Sequence, residues 1–201
     1  MRFKQHRAAG AAFVLSALVS GCLSAPGAPP GIRYYGLPAG EAEVADTTPS
    51  QSAVGVRLKP VVAAAHLREA MAWRSEGAER GLREYERWSE RPEVYLDRAL
   101  REALAQRASL RRTESLAAPA LEVRLEAFEE VRSPAPRAEV ALRLSLVAFG
   151  GAVLLDERVV ESATLKGEGS SGEALASALS MALDAAVARA LERVAAVLAI
   201  S

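Results

Sequence analysis

The chain predicts an α+β fold, a two-layer sandwich in which two main helices pack on one face of a mixed/antiparallel β-sheet. Three observations carry that expectation. Residues 121–126 and 137–149 alternate apolar and polar side chains with period two, as strands with one buried face do. Two segments, starting near Pro92 and near Ser171, repeat apolar residues at helical spacing. Hydrophobic residues make up 50% of the 201, with only 5% aromatic, so aliphatic side chains are plentiful enough to build a core.

The first segment stands outside that sandwich. Arg2, Lys4 and Arg7 give a basic start, residues 8–19 an apolar run, and Val19-Ser20-Gly21-Cys22 closes it. Small residues before a thiol are the layout of a bacterial lipoprotein signal peptide. Cleavage is expected between Gly21 and Cys22, with the Cys22 thiol acylated as a thioether. Two other readings compete. A transmembrane helix needs ~20 apolar residues, and this run has about a dozen. An ordinary secretory signal would make Cys22 incidental, yet Cys22 is the chain's one cysteine and stands at the expected mature start. The organisation expected is a signal peptide over 1–21, a tether over 22–31 and a folded domain over 32–201.

Composition bounds what hangs from the anchor. Removing the first 21 residues deletes three of the 25 basic side chains and none of the 25 acidic ones, leaving a formal charge near −3. Nucleic acid is therefore not an expected partner. With the single cysteine committed to lipid, a disulfide scaffold and a cysteine-based metal site are both excluded.

Along the domain, residues 23–31 (LSAPGAPPG) are too rich in Pro, Gly and Ala to bury a core and form the leash. Nine residues at ~3.3 Å each reach at most about 30 Å. Residues 32–37 suit a first strand closed by Pro38, and 38–51 a long loop. Val54 and Val56 mark a second strand over 53–58. Residues 70–75 and 82–88 suit a hairpin turned at Glu76-Gly77-Ala78-Glu79.

The first helix opens at Pro92, well suited to N1, with Ser89 or Glu90 upstream, and Leu96, Leu100 and Leu104 form its apolar side. After a short segment at 109–113, Leu121, Val123 and Leu125 oppose Glu122, Arg124 and Glu126. Val140, Leu142, Leu144 and Leu146 repeat the pattern, and Gly150-Gly151 suits a two-residue hairpin turn. The return strand over 152–165 places apolar pairs on both faces, at Leu154-Leu155 and Val159-Val160, which calls for a bulge or a covered edge. The last helix spans 171–199, with Ser170 and Glu173 at capping-box spacing. Its stripe of Leu175, Leu179, Leu183, Val187, Leu191 and Val194 requires cover, and packing across the sheet beside the first helix supplies it.

Reaction chemistry is absent from the sequence patterns. His66 has no histidine or cysteine neighbour, and no GxSxG, phosphate-cradling glycine loop or HExxH occurs. Glu129-Glu130 and Asp156-Glu157 are expected as solvated charge at strand ends. Trp73 and Trp88, on the expected hairpin, suit core or interface packing. No enzyme is expected, and no cofactor beyond covalent lipid on Cys22.

The ordered motifs resemble a known family. Tyr34-Tyr35-Gly36-Leu37-Pro38 is similar to the YYxLP first strand of the ABC-type transport auxiliary lipoproteins, the PqiC-like family. Val54-Gly55-Val56 with Pro60-Val61 resembles its second strand and turn. Glu84-Tyr85-Glu86-Arg87-Trp88-Ser89-Glu90, followed by a helix with Leu100 and Leu104, resembles its RWxE strand end and first helix. Residues 63–69 and the loop over 38–51 depart from the family pattern. The resemblance implies an accessory role in lipid transport between the two membranes of a Gram-negative envelope. It implies as partners a periplasmic protein with mammalian-cell-entry (MCE) domains and, through it, an ABC permease and ATPase. Leu23 rather than aspartate after Cys22 implies outer-membrane retention, facing the periplasm, under that family's sorting rule. Tyr34, Tyr35, Leu37, Pro38 and Trp88 are the candidate motif and partner-contact residues. An edge strand near 152–165 leaves a homo-oligomer open.

Overall fold

In a computed structural model, residues 30–38, 53–75, 77–165 and 171–200 are described. The elements in chain order are β1 (Arg33–Tyr35), β2 (Val54–Leu58), β3 (Val62–Ala63), β4 (Ala70–Arg74), β5 (Arg80–Trp88) and α1 (Pro92–Gln106). They continue with β6 (Leu110–Arg112), β7 (Ala120–Val131), β8 (Arg137–Val147), β9 (Val153–Thr164) and α2 (Gly172–Leu198). Ile32–Ser201 is one compact unit. Gly21, Cys22, most of the tether, residues 39–51 and Ser170 lie outside the described residues.

The two best-patterned segments form the centre of the sheet. β8 runs antiparallel along the whole of β7, and β9 runs antiparallel to β8 at the edge. The other flank of β7 is shared by three short parallel strands. β2 pairs at Ala120–Leu121, β3 at Arg124–Leu125 and β4 at Glu129–Val131. β5 then pairs antiparallel with β4, β1 parallel with β5, and β6 parallel with β2. The sheet is thus mixed, and α1 lies in the long crossover that a parallel return from β4 to β7 requires.

One face of this sheet is apolar because the alternation is kept in phase across strands. Leu121, Val123 and Leu125 of β7 stand beside Leu146, Leu144 and Leu142 of β8, all fully buried. α2 lies over β8 and β9 with its six-residue apolar stripe buried, and α1 packs beside it with Leu96, Leu100 and Leu104 inward. α2 is long and apolar enough to cross a membrane by composition, yet its inner side is closed against this sheet. Each such leucine contributes ~1.5–3 kcal/mol on burial. Trp88, Tyr95 and Phe128 add an aromatic wedge under α1, with Trp88 edge-on to Phe128 at 5.1 Å and to Tyr95 at 6.1 Å.

Several local expectations are corrected. The first strand is three residues rather than six. α1 is capped by Arg91, without a side-chain cap bond, and not by Ser89 or Glu90. α2 is capped by Ser171, whose Oγ accepts from the Ala174 N–H at 3.2 Å, so Glu173 falls one place early for a capping box. The β8–β9 turn holds three residues, not two. Ala148 bonds to Ala152, and only Gly151 takes positive φ, at 86°, a conformation that favours glycine. Leu146 pairs with Leu155 and Val147 with Val153, so Leu154 is the bulged residue that shifts the apolar phase in the return strand.

Candidate functional site

The two motif segments meet at one corner of the sheet. β1 lies parallel to β5 with Arg33 beside Glu86, Tyr34 beside Arg87 and Tyr35 beside Trp88. The Ser89 N–H donates to the Tyr35 carbonyl at 2.8 Å, extending the pairing past the strand. Ser89 Oγ shares a 3.0 Å hydrogen bond with the Tyr95 hydroxyl, which also accepts from the Glu90 N–H, so the segment is tied to the first turns of α1.

The start of α2 closes the corner. A Cβ on Gly172 would lie 2.5 Å from the Tyr35 ring and 3.0 Å from the Glu86 carboxyl carbon, so glycine permits this approach. The Gly172 N–H donates to Glu86 Oε1 at 3.2 Å. A carboxylate there also complements the helix dipole.

From Glu86 an alternating chain of charges crosses three strands. Arg33 Nη2 lies 3.2 Å from Glu86 Oε1, and Arg83 Nη1 donates to Glu86 Oε2 at 2.5 Å. Arg83 Nη2 donates to Glu130 Oε2 at 2.8 Å, and Arg132 Nε meets the same oxygen at 3.2 Å. Burial works against the charge on Arg83, but the hydrogen bonds and fields of Glu86 and Glu130 outweigh it and raise its pKa. The Arg132 guanidinium also stacks 3.9 Å from the Trp73 ring centre. Beside this chain opens a cavity of about 980 Å3, lined by Arg33, Trp73, Arg83, Glu84, Arg132 and Ser171 among others. At its wall the Tyr85 hydroxyl donates to Glu84 at 2.7 Å, which raises the Tyr85 pKa.

The sequence-predicted residues divide within this corner. Tyr34 projects outward and is 67% exposed, Tyr35 is half-buried on Gly172, Leu37 packs on the core edge and Pro38 is exposed. Trp88, 2% exposed, belongs to the aromatic wedge and is closed to a partner in this arrangement. Glu129-Glu130 is not solvated as expected. Glu129 is 1% exposed and Glu130 4%, because the strand sends them to opposite faces where arginines meet each. They cannot form one acid–base pair. His66 Nε2 stands 3.9 Å from Glu129.

Sequence reasoning missed the relay itself. Its one local signal is that Glu130 shares the register of Phe128, placing a charge where the pattern faces the helices. Among the described residues no group of three or more His, Cys, Asp or Glu could hold a metal. Each carboxylate of the relay is engaged by arginine, an arrangement that fixes strands and a helix end together.

The comparisons agree with this architecture. A protein from Xanthomonas campestris described under the family model DUF330 superposes with a TM-score of 0.68 at 14% identity, over 82% of this chain and 96% of that one. A hypothetical protein from Chlamydia trachomatis gives 0.53 at 9% identity, over 74% and 99%. These likenesses show a shared fold. A search of curated proteins finds no match. The family model for the ABC-type transport auxiliary lipoprotein component matches residues 35–191, from Tyr35 of the first strand to Leu191 of the last helix. On that match, covering most of the chain, the protein belongs to the ABC-type transport auxiliary lipoprotein family, accessory components of transport systems rather than a known class of enzyme.

Proposed function

We propose that this protein is anchored through acyl chains on Cys22 in the outer membrane, faces the periplasm, and docks the MCE-domain conduit of an ABC-driven lipid transport system. The carrying observation is the family match over residues 35–191, joined to a lipobox ending at Cys22. Several acyl chains anchor stably where one is marginal, and a nine-residue leash keeps the domain in a layer at most about 30 Å deep. That confinement raises the effective concentration of any partner in the same layer.

The alternative of a lipid carrier would need the apolar side chains of α2 and the sheet to line a pocket. Leu175, Leu179, Leu183, Val187 and Leu191 are instead buried against the sheet and α1. That packing supports a docking module.

The test is capture of the MCE-domain partner from intact envelopes by the lipidated protein, alongside fractionation of a Leu23→Asp variant. Co-purification with the conduit, and relocation of Leu23→Asp to the inner membrane, are expected. An MCE protein that never co-purifies sinks the docking reading, and an unchanged location of Leu23→Asp sinks the sorting argument.

A further inference from the structure

The cavity at the motif corner combines features that a structural ion-pair network does not require. The relay ends at its two extremes in exposed arginines, Arg33 and Arg132, while Arg83 at its middle is mostly covered. Arg33 contacts Glu86 through Nη2, and Arg132 contacts Glu130 through Nε, so among the described residues each fork keeps donors on its other nitrogens. The relay of three arginines and two glutamates carries a formal +1, and the N-terminus of α2 adds its positive end beside Ser171. Glu84 on the wall returns the lining to neutrality. Apolar surface is present in the same wall, from Trp73, Leu82, Pro134 and Pro136.

A neutral lining with its charges separated suits a ligand that is itself neutral with separated charges. A bare anion would meet Glu84, Glu86 and Glu130, and a bare cation would meet the arginines. A phosphodiester bearing a primary amine satisfies both: the phosphate takes guanidinium donors at an exposed end of the relay, as arginine forks favour, and the ammonium meets Glu84. Position selects the source of that chemistry. Arg33 stands eleven residues after Cys22, so even a fully extended chain holds it within about 36 Å of the anchor. Phospholipid headgroups of the anchoring bilayer are then the concentrated ligand.

We propose that this cavity binds a zwitterionic phospholipid headgroup of the phosphoethanolamine type, with the exposed arginine donors of its lining on the phosphate, Glu84 on the amine, and Trp73, Leu82 and the prolines against the glycerol and proximal ester. Arg83 is a positioning residue that holds Glu86 and Glu130 away from the phosphate. The inference rests on the proposed Cys22 anchor for proximity alone.

The experiment titrates the purified, unlipidated Cys22→Ser chain, whose Ile32–Ser201 unit contains the whole core, with three probes followed by NMR. The probes are dihexanoyl-phosphatidylethanolamine below its micelle concentration, dihexanoyl-phosphatidylglycerol, and inorganic phosphate. Saturable shifts at Trp73 and Ser171 are expected with the first, and binding about tenfold or more weaker with the other two. The Arg33→Ala/Arg132→Ala variant loses at least about tenfold in affinity, and Glu84→Gln narrows the gap between the two lipids. Thermal melts confirm that both variants fold. No saturable binding, equal binding of phosphate alone, or unchanged affinity in the arginine variant overturns the proposal. Failure here leaves conduit docking standing, and failure to capture the conduit leaves headgroup binding standing, since this titration involves no partner.

Discussion

Two sets of arginine–carboxylate pairs sit on the same sheet and differ only in what surrounds them. On the open face of β7, β8 and β9, Arg143 meets Asp156 at 2.7 Å and Arg158 meets Glu126 at 2.8 Å, all four side chains substantially in water. At the motif corner, Arg83, Glu86 and Glu130 make bonds of similar length with little solvent access. Distance is therefore no guide to importance here. In water, each charge keeps its hydration and the pair adds little; in the corner, each charge has surrendered hydration and depends on its neighbours.

The comparison breaks most visibly at its centre. Arg83→Ala removes the cation that joins Glu86 to Glu130 and leaves two buried carboxylates leaning on Arg33, Arg132 and the Gly172 N–H alone. A loss of about 3 kcal/mol in unfolding free energy is expected by urea denaturation, at the lower end for broken buried pairs because those contacts remain. A loss below that of an exposed pair would show that the corner is more hydrated than its geometry indicates. Arg143→Ala on the open face should leave the urea midpoint almost unchanged, and a double-mutant cycle with Asp156→Ala should give a small coupling that fades as salt is raised.

The smallest effect sharpens the comparison from the other side, at a carboxylate that meets no arginine among the described residues. Partial desolvation first, and the field of Glu102 second, raise the pKa of Asp184, which still stands exposed on α2. A raised folded-state value means that ionisation is less favourable in the folded chain, so a penalty appears as pH climbs through the aspartate range and is absent below it. Asp184→Asn should therefore stabilise slightly at pH 7, by an amount that solvent screening at this exposed position keeps small, and lose that advantage near pH 3. Melting curves of both proteins at the two pH values check the sign.

Legibility from sequence followed the same divide between pattern and partnership. β7, β8, α1 and α2 were readable because each repeats its apolar phase for many residues, and the sandwich follows from stacking those faces. β3 and β6, at two and three residues, have no phase to read. The hairpin after β8 looked like a two-residue glycine turn, but the bond from Ala148 to Ala152 places Phe149 inside the loop. The relay was hidden for a different reason. Arg83 and Glu130 are 47 residues apart, and a charged side chain looks like surface until its partner is known. The Tyr-Tyr and Arg-Trp-Ser-Glu motifs marked the right corner, yet most of their aromatic weight turned out to be packing, with Tyr34 left outward.

The wedge of Tyr35 against Gly172 has a mechanical consequence. β1 is three residues long and is the first strand among the described residues, so under the proposed N-terminal anchor a pull along the chain reaches it before the other described strands. Alone, so few rungs would peel. Seated between the β5 edge and the first turn of α2, the strand instead passes that load sideways into a 27-residue helix that spans the sheet, making the body of the domain, rather than its first strand, the part that resists being pulled.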